Sequence, residues 1–267
     1  MTRAAVTYST YLAIDELLAV QRPLSIGPDG QPEHDELLFI VIHQVYELWF
    51  KQLLHELAGV QLALEAGDTD LSRHLLNRIL KILKTLVAQI DVLETMTPLQ
   101  FLSFRDRLES ASGFQSAQFR EVEAVLGKRD VSAATVQPAG SAARQRIEAA
   151  QGRRSVWGSF LRYIAARGHA LADDVLARDV TLPPAPDERV QDVLVGLYHE
   201  DADAALVAER LVDLDEGFQE WRYRHVKMVE RTIGTKRGTG GSAGVDYLRR
   251  TLFQPVFPDL WEIRGRL

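Results

Sequence analysis

DELLFIVIHQVYELWFKQLLHELAGVQLALEAG, residues 35–67, contains no proline and reaches its first glycine only at Gly59. Its Leu, Ile, Val and aromatic residues recur at three- and four-residue steps, the period of an α-helix and not of a strand. At the rise of an α-helix, some thirty residues span on the order of 40 Å. The first half is apolar on most faces, which predicts a buried central helix and not a surface one. The next stretch, TDLSRHLLNRILKILKTLVAQIDVLETM (69–96), repeats Leu and Ile at the same step. Asp70 is its expected N-cap, and it stops before Pro98. The short joint AGDTD (66–70) makes the two helices antiparallel neighbours.

The same pattern returns in SAARQRIEAAQ (141–151), SVWGSFLRYIAARG (155–168), DERVQDVLVGLYHE (187–200) and DADAALVAERLVDLDEGFQEWRYRHVKMVERTIG (201–234). Pro- or Gly-marked joints such as TLPPAPDE (181–188) separate them, and loops are expected at 22–34, 96–117, 127–140, 178–187 and 234–242. No alternating strand pattern exceeds about four residues, and no repeat of fixed period is present. The fold class is all-α, and we expect residues 1–267 to form a single large helical domain on long central helices.

Composition narrows the function classes. The chain is 46% hydrophobic and 25% charged, with 31 Lys and Arg against 37 Asp and Glu, a net charge of −6. That balance offers no general attraction for nucleic acid or an anionic membrane. With no cysteine, disulfides, thiolate nucleophiles, Cys-bound zinc and iron–sulfur clusters are excluded. The N-terminal MTRAAVTYSTYLAIDELLAV lacks the apolar core and cleavage site of a signal peptide. The apolar run LLFIVI (37–42) is too short to span a bilayer. The expectation is a cytoplasmic protein with no membrane or nucleic-acid partner.

Of the seven histidines, His34, His74 and His199 have polar flanks and read as surface residues, and His55 lies on the polar-leaning half of its helix. His169 follows Gly168 at a helix end, where capping is the simple role. His43 differs, because LLFIVIHQVYELWF surrounds it with apolar residues. It is either a hydrogen-bonded core histidine or a ligand or catalytic group. His225 lies on a stripe of Phe218, Trp221, Met228, Val229 and Thr232, with Arg222, Arg224, Lys227, Glu230 and Arg231 on the other faces. A helical imidazole in an apolar stripe suits an axial haem ligand, since the porphyrin needs an apolar wall and the iron a neutral nitrogen.

Two loops carry further polar chemistry. In TPLQFLSFRDRLESASGFQSAQFRE (97–121), Arg105 either pairs with Asp106 or Glu109 or clamps a carboxylate or phosphate. Ser112 and Gly113 either form a turn or admit a ligand close to the backbone. The glycine-rich stretch after Gly234 lacks the spacing of a P-loop, and it follows a helix where a dinucleotide motif would follow a strand. What remains is an adaptable loop or lid that carries the hydroxyl of Thr239 among its glycines.

Together, HDELLFIVIHQVYELWFKQLLHEL (34–57), FRDRLESASGFQSAQFR (104–120) and WRYRHVKMVERTIGTKRGTGGSAG (221–244) resemble, in order, the three signature blocks of the tryptophan 2,3-dioxygenase family of haem enzymes. The similarity runs from about residue 8 to FPDLWEIR (257–264). The resemblance implies one ferrous haem b per subunit with His225 as axial ligand and Trp221 beside the cofactor. It implies that His43 accepts the substrate's indole N–H, orienting the ring without acting as an obligatory base, and that Phe39 and Phe101 pack on the ring. Arg105 would pair with the substrate carboxylate and Thr239 contact its amino-acid group, under a loop that closes on binding. Ser112 and Gly113 would lie beside the haem propionates and substrate. Tyr8, Tyr11 and Leu12, in an N-terminal segment 1–22, would reach a neighbouring subunit's site in a homotetramer.

The implied reaction is cleavage of the indole C2–C3 bond of L-tryptophan by O2 to N-formyl-L-kynurenine, the entry to tryptophan catabolism through kynurenine. Three alternatives stay open on the residues alone. One is a related haem oxygenase of a biosynthetic pathway, acting on a substituted tryptophan or indole and inserting one oxygen atom. The second is a haem-binding sensor or carrier without turnover, and the third a purely structural helical oligomer in which His43 and His225 are incidental.

Overall fold

The computed structural model describes residues 5–109, 111, 113–236, 238 and 244–267, with only the backbone of Phe114. In chain order the α-helices are α1 (Tyr8–Leu12), α2 (Ile14–Leu18), α3 (His34–Glu65), α4 (Thr69–Leu93), α5 (Pro98–Arg105), α6 (Ala117–Leu126), α7 (Val131–Thr135), α8 (Ala142–Gln151), α9 (Val156–Ala166), α10 (Asp173–Leu176), α11 (Glu188–Glu200), α12 (Ala202–Ile233), α13 (Val245–Arg249) and α14 (Pro258–Glu262). Among the described residues the only β-pairing is an isolated bridge between Ile26 and Pro32. The all-α expectation holds.

Helix α4 packs along both α3 and α12, while α6 and α9 cover another side of α3 and α11 lies on α12. Leu53, Leu57, Val60 and Leu64 of α3, Leu76, Ile79 and Leu86 of α4, and Val207, Leu211 and Leu214 of α12 form the core. Close approach of α12 to α4 depends on Gly217, where an added Cβ would come within 3.3 Å of Leu83.

Three expectations need correction. Asp68, and not Asp70, caps α4, its side chain accepting from Leu71 N at 2.9 Å. Gly67, at φ +74°, closes the joint one residue earlier and leaves Asp68 extended at the cap position, so Asp70 falls in the first turn. The expected loop 96–117 contains α5, started by a Thr97–Gln100 capping box with Pro98 in its first turn. The expected loop 127–140 likewise contains α7, capped by Asp130.

The first half of α3 is not a fully buried rod. Leu37, Val41 and Leu48 are exposed, and burial concentrates in the second half. One face of the first half borders a cavity, and Leu37, Val41 and Leu48 stay exposed among the described residues. By length and composition α3 would also suffice to cross a bilayer, a property that the six-residue run LLFIVI alone does not have.

The C-terminal segment is tied to α12 through Asp215, which is fully buried. One carboxylate oxygen accepts from Val256 N at 2.7 Å, Phe257 N at 2.9 Å and Trp261 Nε1 at 3.0 Å, and the other from Gln219 Nε2 at 2.9 Å. Removing the acceptor strands buried donors, at a cost of roughly 1–3 kcal/mol each. Asp215→Ala is therefore expected to lose about 3 kcal/mol or more, and Asp215→Asn less, read as a fall in urea midpoint at constant m-value.

Candidate active site

The cavity, about 240 Å³, lies between the first half of α3, the end of α4, α5, the 108–116 segment, α6 and the second half of α12. His43 of α3 and His225 of α12 both line it. His43 Nδ1 lies 2.7 Å from the carbonyl oxygen of Phe39. A carbonyl only accepts, so Nδ1 carries the proton and Nε2 is left as the ring's acceptor. Burial lowers the proton affinity of His43, opposed by that backbone bond and by the charge of Glu47.

Burial, followed by the charges of His43 and Arg120, pushes the pKa of His225 down to about 4. Its imidazole is thus neutral at pH 7, the form that binds a metal. Its ring stacks on Trp221, with centroids 5.2 Å apart and planes 5° from parallel. Trp221 Nε1 is buried and makes no hydrogen bond of normal geometry.

Phe39, Phe101 and His43 come together as expected. The Phe39 ring lies 4.0 Å from His43 and 5.9 Å from Phe101, centroid to centroid. Phe104, which the sequence reading did not place in the site, backs both phenylalanines at 5.5 and 5.4 Å. Gly113 lines the cavity, and so do Gly238 and Gly244, which flank the glycine-rich loop. Ser112 and Thr239 lie outside the described residues.

Arg105 ends α5, half-buried, and is not among the cavity-lining side chains. Tyr8, Tyr11 and Leu12 lie on α1, away from this chain's cavity, with 76%, 78% and 43% of their surface exposed. The remaining histidines follow expectation: His34, His55, His74 and His199 are exposed. His169 N bonds Ile164 O at the end of α9, and its ring meets Asp201 at 3.3 Å.

The sequence reading missed a charged wall. Glu123 of α6 is buried and bonded to Arg120 at 2.7 Å, Arg222 at 2.8 Å and Lys128 at 2.9 Å. Burial would raise its carboxyl pKa, but the three cations outweigh this and hold it below the ordinary value. Arg222, expected on an outer face of α12, is 7% exposed because α6 packs across that face and supplies its partner. Glu47, also on the cavity, sits four residues after His43, a spacing that could have identified it.

Among the described residues no three His, Asp or Glu side chains gather as a metal cage. The donor set instead suits a flat metal complex held by one imidazole. It offers a neutral His225, apolar walls, an unsatisfied indole N–H and cations around Glu123 for acidic substituents.

A family model described as tryptophan 2,3-dioxygenase matches residues 1–139 and 188–267. The chain belongs to the tryptophan 2,3-dioxygenase family. It is 59% identical to a protein of that name from Anaeromyxobacter sp. (strain K), covering 99% of this chain and 97% of that one. It is 55% identical to one from Herpetosiphon aurantiacus over 98% and 99% of the two chains, and 41% identical to one from Bordetella parapertussis over 98% and 91%. All three cavity-forming blocks fall inside the matched residues, while α8, α9 and α10 lie outside them.

The depressed pKa of His225 has a measurable consequence. In the unfolded chain this imidazole protonates near its ordinary 6.5, in the folded one only near 4. As pH falls from about 6.5 to 4 the unfolded state gains the proton first, so cofactor-free protein loses stability, by up to about 3 kcal/mol from this group. Above pH 6.5 the group contributes nothing. The urea midpoint of wild type is expected to fall more steeply across this window than that of His225→Gln.

Proposed function

We propose that this chain binds haem b through His225 and cleaves the indole C2–C3 bond of L-tryptophan with O2, giving N-formyl-L-kynurenine. The observation that carries the reading is the pairing, in one cavity, of a neutral buried His225 with a His43 whose Nε2 is an acceptor. Family membership supplies the reaction class. Haem, when bound, supplies the activation of O2.

The protein's own residues do the rest. His225 offers a nitrogen without competition from a proton, and stacking on Trp221 fixes its ring plane. Trp221 Nε1, Arg120 and Arg222, all on the cavity, would be the donors available to the cofactor's carboxylates, where charge-assisted bonds are strongest. Phe39 and Phe101 form a wall for the indole, and His43 Nε2 receives its N–H, setting the ring's orientation. Attack through C3 does not require that proton to leave, so His43 serves as an orienting acceptor. Arg105 would take the substrate carboxylate and Thr239 the amino-acid group, with Ser112 and Gly113 beside them, once the loops close over the ligand. Apolar walls exclude water from the reacting bond.

Two further parts of the reading concern assembly. Tyr8, Tyr11, Leu12, Leu17 and Leu18 form an exposed apolar segment, and Leu37, Val41 and Leu48 expose a second apolar face. Surfaces of this kind mark interfaces, and they support a homotetramer in which residues 1–22 complete a neighbour's site. Residues 1–267 would then be one catalytic domain per subunit.

Reduced, haem-loaded protein incubated with L-tryptophan under ¹⁸O2 is expected to yield a product carrying two labelled atoms. One labelled atom would point to a monooxygenase acting on a related substrate, and no product would leave a haem protein without turnover. His225→Ala is expected to purify without tightly bound haem, judged by the Soret band. His43→Ser is expected to retain haem and turn over more slowly, and turnover at background would make His43 more than an orienting group.

A further inference from the structure

We propose that Glu47 is a positioning residue of the site, holding the His43 wall at a fixed distance from the 113–116 turn opposite. The inference rests on the proposed tryptophan-cleaving reading for its kinetic consequences, but not for its geometry. Glu47 follows His43 by four residues on α3, so the two side chains share a helix face, and both line the cavity. A carboxylate in a largely apolar wall is costly unless its oxygens are satisfied, and among the described residues the donors to them come from the start of α6.

Ser116 Oγ donates to Glu47 Oε1 at 2.5 Å, Gln118 Nε2 donates to Oε2 at 2.8 Å, and Gln118 Nε2 also donates to the Glu47 main-chain oxygen at 2.8 Å. Ser116 is at the same time the N-cap of α6, accepting from Phe119 N at 3.2 Å. Its hydroxyl therefore has one orientation, with the proton toward Glu47 and a lone pair toward the helix. The negative charge also sits against the positive end of α6. Three bonds thus lock one residue of α3 to the first turn of α6.

The consequence reaches the ligand through both walls. Ala111, Gly113 and Ser116 line the cavity on one side, and Phe39, His43 and Tyr46 on the other. Because Ser116 N bonds Gly113 O at 3.1 Å, the 113–116 turn moves with Ser116. Glu47 acts on His43 electrostatically as well, favouring proton affinity at an imidazole that burial makes a poorer base. With its oxygens taken up by Ser116 and Gln118, its role is to position other groups.

Glu47→Gln keeps the side-chain length but replaces one acceptor with an N–H that cannot receive Ser116 or Gln118. In the haem-loaded enzyme we expect KM for L-tryptophan, and the midpoint of the Soret change on tryptophan titration, to rise about tenfold or more, the scale of one lost charge-assisted bond. The expected change in kcat is less than threefold, with haem content unchanged. Ser116→Ala should give the same split, the double variant no more than the worse single one, and Ser116→Thr near-normal values.

Equal losses in kcat and KM that track lost haem or a lowered Tm would make Glu47 merely structural and overturn the proposal. So would additive effects or an unchanged KM. Amide hydrogen exchange at 113–119 in substrate-free holoenzyme reads the same coupling without any substrate. Faster exchange in Glu47→Gln supports it and unchanged exchange overturns it, whereas a wild type that fails to convert tryptophan counts against the proposed function alone.

Discussion

Helix α4 lies against both α3 and α12, and this double contact sets the separation of the two histidines that matter. Neither α3 nor α12 could hold such a position alone, since each spans 32 residues and carries polar side chains along one side. The Leu and Ile stripe of α4 satisfies both at once, and Gly217 lets α12 approach to van der Waals distance of Leu83. Where the three helices diverge beyond Ile90 and Leu93, the space between them is the cavity.

Two buried carboxylates then divide the polar work. Asp215 is met by two backbone N–H groups, an indole and an amide, and it fastens the C-terminal segment to α12. Glu123 is met by three cations, and it fastens α6 to α12 directly beside His225. Positive charge and desolvation together disfavour protonation of that imidazole. The same packing that stabilises the helices therefore keeps this imidazole neutral, at the cost of stability in acid.

How much was readable beforehand depended on the range of each interaction. The long helices follow from apolar periodicity, and the pairing of Phe39 with His43 follows from a four-residue step. The three blocks also identify the family, because they preserve residue types in order across separate elements. The capping box at Thr97 and Gln100 is present in the sequence as well, but Pro98 reads equally as a helix stop and as a first-turn residue, and the fold makes it the latter. Arg222 could not be placed correctly from its own helix, since the face it occupies is polar only in the sense that Glu123 waits on α6.

The helical class and the family were legible in the residues alone, because both rest on local spacing or on residue identity. Tertiary structure alone decided that Glu123 and Arg222 are buried together, that Phe104 backs Phe39 and Phe101, that Glu47 is held by Ser116 and Gln118, and that the first half of α3 keeps an uncovered face. The Glu123–Arg222, Phe39–Phe104 and Glu47–Ser116 contacts each join residues tens of positions apart. Whether a charge is buried, paired or exposed depends on which element packs over it, and helical periodicity carries no information about that partner.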